Sequence, residues 1–328
     1  MRARRPQFFS SLTLQLMAGT LGVLASIARA ADMSATYAWQ PLRVGGAGYV
    51  CGMWVHPTAS NLVFCRADVS GAYRWNASSR TWTPIVTDQS MPASAVVYAT
   101  YTGVDSIVGA PSDPAYVYMT YRGMVYKSAD TGATWSVASA GFTATLDANG
   151  EGRTLGERLQ VDPANKDVVY YGSISSGLWF TVNGGASWAR VTLSNVPAGT
   201  DAARGISTVT FSAAAGTNAG GRTQRIYVTP WGTGVYCSAD AGASWSKISG
   251  ASGPADNVQV VDAEVDTSGN YYIVAGSDLW RYTAGVWTRV WQAGSALNEM
   301  AIDPFNPARI MVIRSGGMAY RSTDAGAT

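Results

Sequence analysis

The sequence predicts an all-β protein, a β-propeller whose blades are four-stranded sheets. Two observations lead to this prediction. An S/T-x-D/N-x-G-x-S/T-W motif recurs along the 328 residues, and a Pro-containing motif precedes most of its copies. The composition agrees, because 36 Gly, 12 Trp and only 13% charged residues suit many short strands joined by tight turns. Helical periodicity is nearly absent after the N-terminal segment.

Residues 1–30 are predicted to be a secretory signal. Residues 1–5 (MRARR) are positively charged, residues 12–27 are apolar, and ARA at 28–30 is a small-residue cleavage site. The apolar part is shorter than the roughly 20 residues that a spanning helix needs, which argues against an uncleaved anchor. We therefore expect a secreted or periplasmic protein, with a propeller domain at 31–328 and no membrane attachment after cleavage.

Each unit is predicted to run strand, Pro-containing turn, strand, hairpin, strand. The Pro-containing motifs that precede the recurring motif read HPTASNLVFC, SDPAYVYMT, VDPANKDVVYYG and IDPFNPARIMVI. Their Pro fixes the φ of the turn. A spacing of about 40–57 residues between units fits four-stranded blades. We expect about six blades, the sixth cut off at Thr328, and hence a propeller that is incomplete at its C-terminus.

The recurring motif, an Asp-box hairpin, predicts a turn inside each blade. Its frame S/T-x-D/N-x-G-x-S/T-W stands at 128–135, 181–188 and 238–245, and without the final Trp at 322–328. The acid or amide can bond backbone N–H groups of its own turn, and the Gly supplies a positive φ. Because they recur at one turn position, we interpret four residues as turn formers rather than catalytic groups: Asp130, Asn183, Asp240 and Asp324. The motif Trp is predicted to pack between neighbouring units.

The charge and the rare residue types exclude several functions. A formal net charge of +2, with no Lys/Arg run after the signal, gives no reason to expect nucleic acid as a partner. One His in the chain excludes a His-rich zinc site and argues against a Ser-His-Asp triad. We expect no metal and no cofactor.

Cys51 and Cys65 flank a predicted hairpin and are candidates for a disulfide that would leave Cys237 unpaired. Three buried thiols are the alternative.

One acid breaks the repeat. Asp68 follows the apolar run LVFC and Arg66, and precedes a tight turn. It is predicted to lie at the end of the second strand of the first blade, where loops of a propeller converge on the central axis. The corresponding positions of later blades carry no acid: Tyr121-Arg122, Ser173 and Trp231.

Three segments resemble glycoside hydrolase family 74, the xyloglucanases. Residues 37–85, with HPTASNLVFCRADVSGAYRW, resemble the opening blade of that family and its R-T-D-I-G-G-A-Y-R-W run. Residues 103–118 (GVDSIVGAPSDPAYVY) are similar to a G-x-E-S-I-A stretch, and residues 152–179 (GRTLGERLQVDPANKDVVYYGSISSGLW) to a G-R-x-x-G-E-R-L segment. The resemblance is specific over about residues 37–190 and looser beyond.

The resemblance implies a fold, a reaction and one catalytic residue. The family has two seven-bladed propellers that face each other across a cleft, so the six predicted blades would be part of a seven-bladed ring. It cleaves xyloglucan, a β-1,4-glucan of the plant cell wall, with inversion at the anomeric carbon. Asp68 falls on the family's general base. The general acid comes from a second propeller, which we expect in a longer gene product, so this chain alone would be inactive.

Further site residues are weaker candidates. Arg66 lies two residues before Asp68, on the same face of a strand, and could keep that carboxylate ionised, or else form an ordinary salt bridge at the blade edge. Tyr73, Trp54 and Trp231 could stack on sugar faces, or belong to the core. Arg122 is a further binding candidate.

Some positions depart from the family. In the family's R-T-D-I-G-G-A-Y-R-W run, Ala67 replaces the Thr and Ser70 replaces the first Gly. In its G-x-E-S-I-A stretch, Asp105 replaces the Glu. Glu157 and Arg158 match G-E-R-L and are expected to pair structurally near the central face.

Two other functions remain open at this point. The first is a non-catalytic propeller, truncated or degenerate, that binds polysaccharide or protein at its central face. The second is a sialidase, which would need an arginine triad and a Tyr/Glu pair that these blades do not obviously supply.

Overall fold

The computed structural model describes residues 31–32, 45–46, 48–97, 102–250 and 252–327. The predicted signal at 1–30 lies outside the described residues. In the ranges described, no helix is both long and apolar enough to cross a bilayer.

Six four-stranded antiparallel sheets form the blades of a propeller. The repeat predicted six blades with the sixth cut off at Thr328, whereas the sixth sheet also has four strands. Blade 1 consists of β2 (Val50–Val55), β3 (Val63–Ala67), β4 (Ala72–Asn76) and β5 (Thr81–Pro84). Blade 2 consists of β6 (Val104–Ala110), β7 (Asp113–Tyr121), β8 (Met124–Ser128) and β9 (Ser136–Val137). Blade 3 consists of β10 (Leu159–Asp162), β11 (Asn165–Gly172), β12 (Leu178–Thr181) and β13 (Ala189–Arg190).

The remaining blades follow the same order. Blade 4 consists of β14 (Ile206–Thr217), β15 (Thr223–Pro230), β16 (Tyr236–Ser238) and β17 (Ser246–Lys247). Blade 5 consists of β18 (Val260–Val265), β19 (Tyr271–Ala275), β20 (Asp278–Thr283) and β21 (Val286–Gln292). Blade 6 consists of β22 (Leu297–Ile302), β23 (Ile310–Arg314), β24 (Met318–Ser322) and the N-terminal β1 (Ala31–Asp32). A short 3₁₀ helix, Ala93–Ala95, links blades 1 and 2.

The first strand of each blade is the innermost. Successive first strands contact one another from β2 through β22, which places them around the central axis. The fourth strand is outermost, and in blade 6 that strand is β1, which pairs with β24 through Ala31 and Arg321. The two ends of the described chain therefore meet in one sheet.

The hydrophobic core is divided into layers between successive blades. Phe64 and Ile107 lie in the layer between blades 1 and 2, and Tyr118 and Leu159 in the next. Three further layers join blades 3 to 4, 4 to 5 and 5 to 6. A single antiparallel sheet cannot bury both of its faces alone, so the ring is what makes each blade stable.

The Asp-box turns are built as predicted. The Asp130 carboxylate accepts the Thr134 N–H at 2.8 Å, and the Ser128 hydroxyl accepts the Gly132 N–H at 2.8 Å. Thr131 and Gly132 both adopt positive φ, 58° and 81°, which explains the Gly of the motif. The same bonds recur in blade 4 around Asp240, and around Asn183 in blade 3.

In blades 2, 3 and 5, the Trp of the hairpin ties the blade to the one before it. Trp188 Nε1 donates to the carbonyl of Ala138, the residue after the outermost strand of blade 2, at 2.7 Å. Trp135 and Trp287 make the equivalent bonds to the preceding blades, to Ile85 and Ile248. Trp245 of blade 4 differs, because its indole N–H is buried without a hydrogen-bond partner among the described residues.

Partly buried carboxylates link the innermost strands of blades 5 and 6. Asp262 Oδ2 accepts the Met300 N–H at 2.7 Å, and Glu264 Oε2 accepts the Ile302 N–H at 2.7 Å. Burial, and the neighbouring Asp262 charge, raise the pKa of Glu264 above its ordinary value. Its carboxyl group therefore favours the protonated form in the folded protein.

Replacing Trp188 by Phe should cost more stability than replacing Trp245 by Phe. Both substitutions shrink a ring in an inter-blade layer, but only Trp188→Phe leaves a carbonyl without its donor. We expect its extra loss to be about 1–3 kcal/mol, measured as the free energy of urea unfolding by circular dichroism. Equal losses in the two variants would show that the indole bond contributes nothing.

Glu264→Gln should weaken the dependence of stability on pH. An acid with a raised pKa holds its proton in the folded state after the unfolded state has released it, so stability falls as pH rises above about 4.5. Gln keeps an acceptor for the Ile302 N–H and carries no charge. Unfolding free energies at pH 5 and pH 8 should differ less in the variant than in the wild type. Glu151→Gln, at an exposed carboxylate, is the control and should leave the difference unchanged.

Candidate active site

Asp68 lies immediately beyond the end of β3, at the central end of blade 1. The Ala67 N–H donates to the Gly71 carbonyl at 2.9 Å and closes the turn that carries it. Asp68 Oδ1 accepts the Tyr49 N–H at 2.8 Å, and the Asp68 N–H donates to the Tyr49 carbonyl at 3.1 Å. The residue is only 8% exposed. Its carboxylate is thus held by the backbone that enters blade 1.

Asp68 lines a pocket of about 180 Å³ at the junction of blades 1, 2 and 3. The walls come from the end of β3, the start of β6, the β7–β8 turn and the segment before β10. Their residues are Asp68, Gly103, Asp105, Thr120, Arg122, Gly123, Leu146, Asp147, Ala148 and Asn149. Strand-end loops from three blades therefore converge on the predicted base.

Arg153, not Arg66, is the cation beside Asp68. Arg153 Nε lies 3.7 Å from Asp68 Oδ2. Arg66 turns to Glu157, with 3.9 Å between Nε and Oε1, and its NH1 donates to the Arg153 carbonyl at 3.0 Å. The expected Arg66–Asp68 contact is not formed because Asp68 has already left the strand, where the alternation of faces no longer applies.

Two of the predicted aromatic platforms belong to the core. The Tyr73 hydroxyl donates to the Ser70 carbonyl at 2.9 Å, and the ring is 5% exposed. Trp54 packs into the layers around blade 2, where a Cβ at Gly109 would lie 2.6 Å from its ring. The alternative interpretation of both residues, as core, is the one that the structure shows.

The other two binding candidates remain accessible. Trp231 follows β15 and is half-buried, with the Arg204 guanidinium 5.4 Å from its ring centre. Arg122 is exposed in the β7–β8 turn, with a φ of 49°, and lines the pocket. Of the predicted residues, the structure thus brings Asp68 and Arg122 together.

Glu157 and Arg158 do not pair with each other. Arg158 is buried and donates to the carbonyls of Arg204 at 2.6 Å and Ile206 at 2.7 Å, which fastens blade 3 to the start of blade 4. Glu157 faces Arg66, and burial raises its pKa to about 7, although the charge of Arg66 opposes this rise.

Asp105 was not predicted to be a pocket residue. From the sequence it was identified only as the residue that replaces the Glu of the family's G-x-E-S-I-A stretch. It occupies a bulge, since the pairing register shifts between Val104 and Ser106, and a bulge redirects a side chain. Its Oδ2 accepts the Tyr171 hydroxyl at 2.9 Å. Arg153, Asp147 and Asn149 were also missed; only the resemblance of GRTLGERL to the family segment pointed at Arg153.

The cysteines are three buried free thiols. Cys65 lies opposite Met53 in the strand pair, while Cys51 stands at a register shift, so the candidate disulfide is not formed. Burial raises the pKa of Cys65 to about 12, which makes it unreactive. Across the described ranges, no cluster of three or more His, Cys, Asp or Glu residues is arranged to hold a metal ion.

Comparison with known proteins connects this geometry to one family. No protein-family model matches the chain. A xyloglucanase of Paenibacillus sp is 30% identical over 98% of the chain, which spans 35% of that protein. A xyloglucanase of Hypocrea jecorina is 30% identical over 90% of the chain, which spans 40% of it.

Solved structures give the same result. A GH74 enzyme of Niastella koreensis superposes with a TM-score of 0.74 at 26% identity, covering 88% of this chain and 45% of its own. The GH74 xyloglucanase of Xanthomonas campestris gives 0.71 at 28% identity, covering 88% and 46%. The chain thus spans less than half the length of these relatives, and over that length it belongs to glycoside hydrolase family 74.

Proposed function

We propose that this propeller carries the general base of an inverting hydrolase that cleaves xyloglucan, and that Asp68 is that base. The single observation that supports it best is the place of Asp68, in a pocket at the central end of blade 1, with Oδ1 bound to the Tyr49 N–H. The relatives named as xyloglucanases support the substrate.

Inverting hydrolysis needs two carboxyl groups. One deprotonates a water molecule on one face of the sugar ring, and the other protonates the leaving oxygen; they stand roughly 6.5–9.5 Å apart. Asp68 suits the first role because Oδ2 accepts no hydrogen bond from the described residues, while Oδ1 is fixed. A fixed carboxylate with one free oxygen can hold a water in line with the anomeric carbon.

The second carboxyl group is proposed to come from a second propeller. Asp105, a second acid of this pocket, is engaged because its Oδ2 accepts the Tyr171 hydroxyl at 2.9 Å. The relatives are more than twice as long as the part matched here. A facing propeller would close the pocket into a cleft long enough for a glucan chain.

Substrate binding is proposed to use the rim of the pocket. The exposed Arg122 guanidinium and the Asn149 side chain can donate to sugar hydroxyls. Trp231, backed by Arg204, offers a half-buried aromatic face for a pyranose ring. Because xyloglucan is a polymer of the plant cell wall, we further propose that the signal at 1–30 exports the protein to the periplasm or the medium.

Asp68→Asn should abolish hydrolysis in a protein that joins this propeller to its acid-bearing partner. The amide keeps the acceptor for the Tyr49 N–H but cannot take a proton, so we expect reducing-sugar release from xyloglucan to fall about 10²–10⁴-fold. Asp130→Asn is the matched control, since blade 3 naturally carries Asn183 in that turn, and it should retain activity. Proton NMR of the first product should show the inverted anomer. Full turnover by Asp68→Asn would reject the assignment.

The propeller without a partner should bind but not cleave. Residues 31–328 alone should release no reducing sugar, because a single carboxylate cannot act as base and acid in one step. Retardation in native gels containing xyloglucan would report binding. Binding with no turnover even in the joined protein would favour the non-catalytic polysaccharide-binding propeller instead, and turnover by the isolated propeller would contradict the proposed division of roles.

A further inference from the structure

Arg153 touches the proposed base from a neighbouring segment. It lies in the loop before β10, with Nε 3.7 Å from Asp68 Oδ2, and its NH1 donates to the Gly150 carbonyl at 3.1 Å. Nε is buried and has no hydrogen-bond partner within the described ranges. The guanidinium is thus fixed at one edge by its own loop, while its other edge faces the carboxylate.

Arg66 in turn holds the backbone of Arg153. The Arg66 side chain is almost fully buried, and its NH1 donates to the Arg153 carbonyl at 3.0 Å. Gly52 on the adjacent strand makes room for it, because a Cβ there would lie 2.7 Å from Arg66 Nε. The Glu157 carboxyl group lies opposite, with Oε1 3.9 Å from the same Nε. Arg66 therefore reaches from blade 1 to a loop 87 residues away.

We propose that Arg153 is a positioning residue for Asp68, and that Arg66 acts on Asp68 through Arg153 by fixing its carbonyl. This inference rests on the proposed function of Asp68 as the base. The Tyr49 N–H holds Oδ1 and the Arg153 guanidinium stands at Oδ2, so the two together fix the plane of the carboxylate. With only the first contact, the carboxylate could rotate about the bond to Oδ1 and turn Oδ2 away from the water.

The surroundings of Asp68 allow this role. The ionisable groups that face it are, besides Arg153, the Cys51 thiol of β2 and the pocket residues Asp105, Arg122 and Asp147. The Cys51 thiol is buried, and its pKa is raised chiefly by that burial, so it stays neutral. Arg122 is exposed to solvent, whereas Arg153 alone forms an ion pair with Asp68 among the described residues.

The first test separates positioning from binding in the joined protein. Arg153→Gln should lower kcat for xyloglucan about 10–100-fold, the cost of a misplaced reacting group, with KM changed less than about twofold. Arg153→Lys, which keeps the charge, should recover part of kcat, and added guanidinium should partly restore Arg153→Ala. A change in KM alone, or no change in either constant, would overturn the inference.

The second test does not depend on turnover. The Tyr49 amide signal in NMR spectra of this chain reports the carboxylate that it binds. We expect its shift and its protection from hydrogen exchange to change in Arg153→Gln. Arg309→Gln breaks an exposed Arg–Asp pair in blade 6, and is the matched control that should leave the signal unchanged. An unaltered signal in Arg153→Gln refutes the positioning role, whereas a wild type inactive on xyloglucan refutes only the proposed function.

The third test concerns Arg66. Arg66→Lys keeps a buried charge opposite Glu157 but gives up the fork that reaches the Arg153 carbonyl. We expect a smaller loss of kcat than in Arg153→Gln, and no further loss when the two changes are combined, because both act on one contact. Additive losses would show that Arg66 acts independently of Arg153. Thermal unfolding of each variant separates these outcomes from a loss of folding.

Discussion

The structure depends on how each blade packs against the next, through an apolar layer and, in three of the layers, a hydrogen bond from a Trp side chain. Blades 2 to 5 pack an apolar face against a neighbouring blade on each side. The indole N–H of Trp188 crosses one of these layers to a carbonyl just past the outermost strand of blade 2. It therefore joins two sheets at their outer ends, where the blades diverge. Apolar packing alone has no such direction.

The packing between blades also determines where the innermost strands lie, and therefore where the pocket forms. Because first strands meet around the axis, the loops that follow second strands converge from successive blades. The pocket combines Asp68 of blade 1, Arg122 of blade 2 and Asn149 of the segment before blade 3. The bulge at Asp105 adds a carboxylate that a regular strand would direct elsewhere. No single blade carries the site, so its geometry depends on the inter-blade layers.

The sequence predicted what local chemistry determines. The box turns, the inter-blade role of Trp135 and the place of Asp68 at a strand end all follow from patterns within about ten residues. The partner of Asp68 was not predictable in this way, because Arg153 arrives from the loop before blade 3. Arg66 was assigned to Asp68 by strand alternation, which fails once the chain enters the turn closed by Ala67 and Gly71. Contacts between blades depend on how neighbouring sheets pack, which patterns within a short stretch of sequence do not specify.

The acids of the Asp-box turns and Asp68 differ in the number of hydrogen bonds that their carboxylate oxygens accept. In the Asp240 turn, the Ser244 hydroxyl and N–H and the Ser238 hydroxyl bind the carboxylate, and these bonds hold the pKa of Asp240 below its ordinary value. A carboxylate that is saturated with donors is a poor proton acceptor, because each bond stabilises the ionised form. Asp68 receives one backbone donor on Oδ1, and its Oδ2 faces a guanidinium at a distance too long for a hydrogen bond. The same residue type thus serves as a turn former when its lone pairs are used, and suits a base when one oxygen is left for a water and its orientation is fixed from the side.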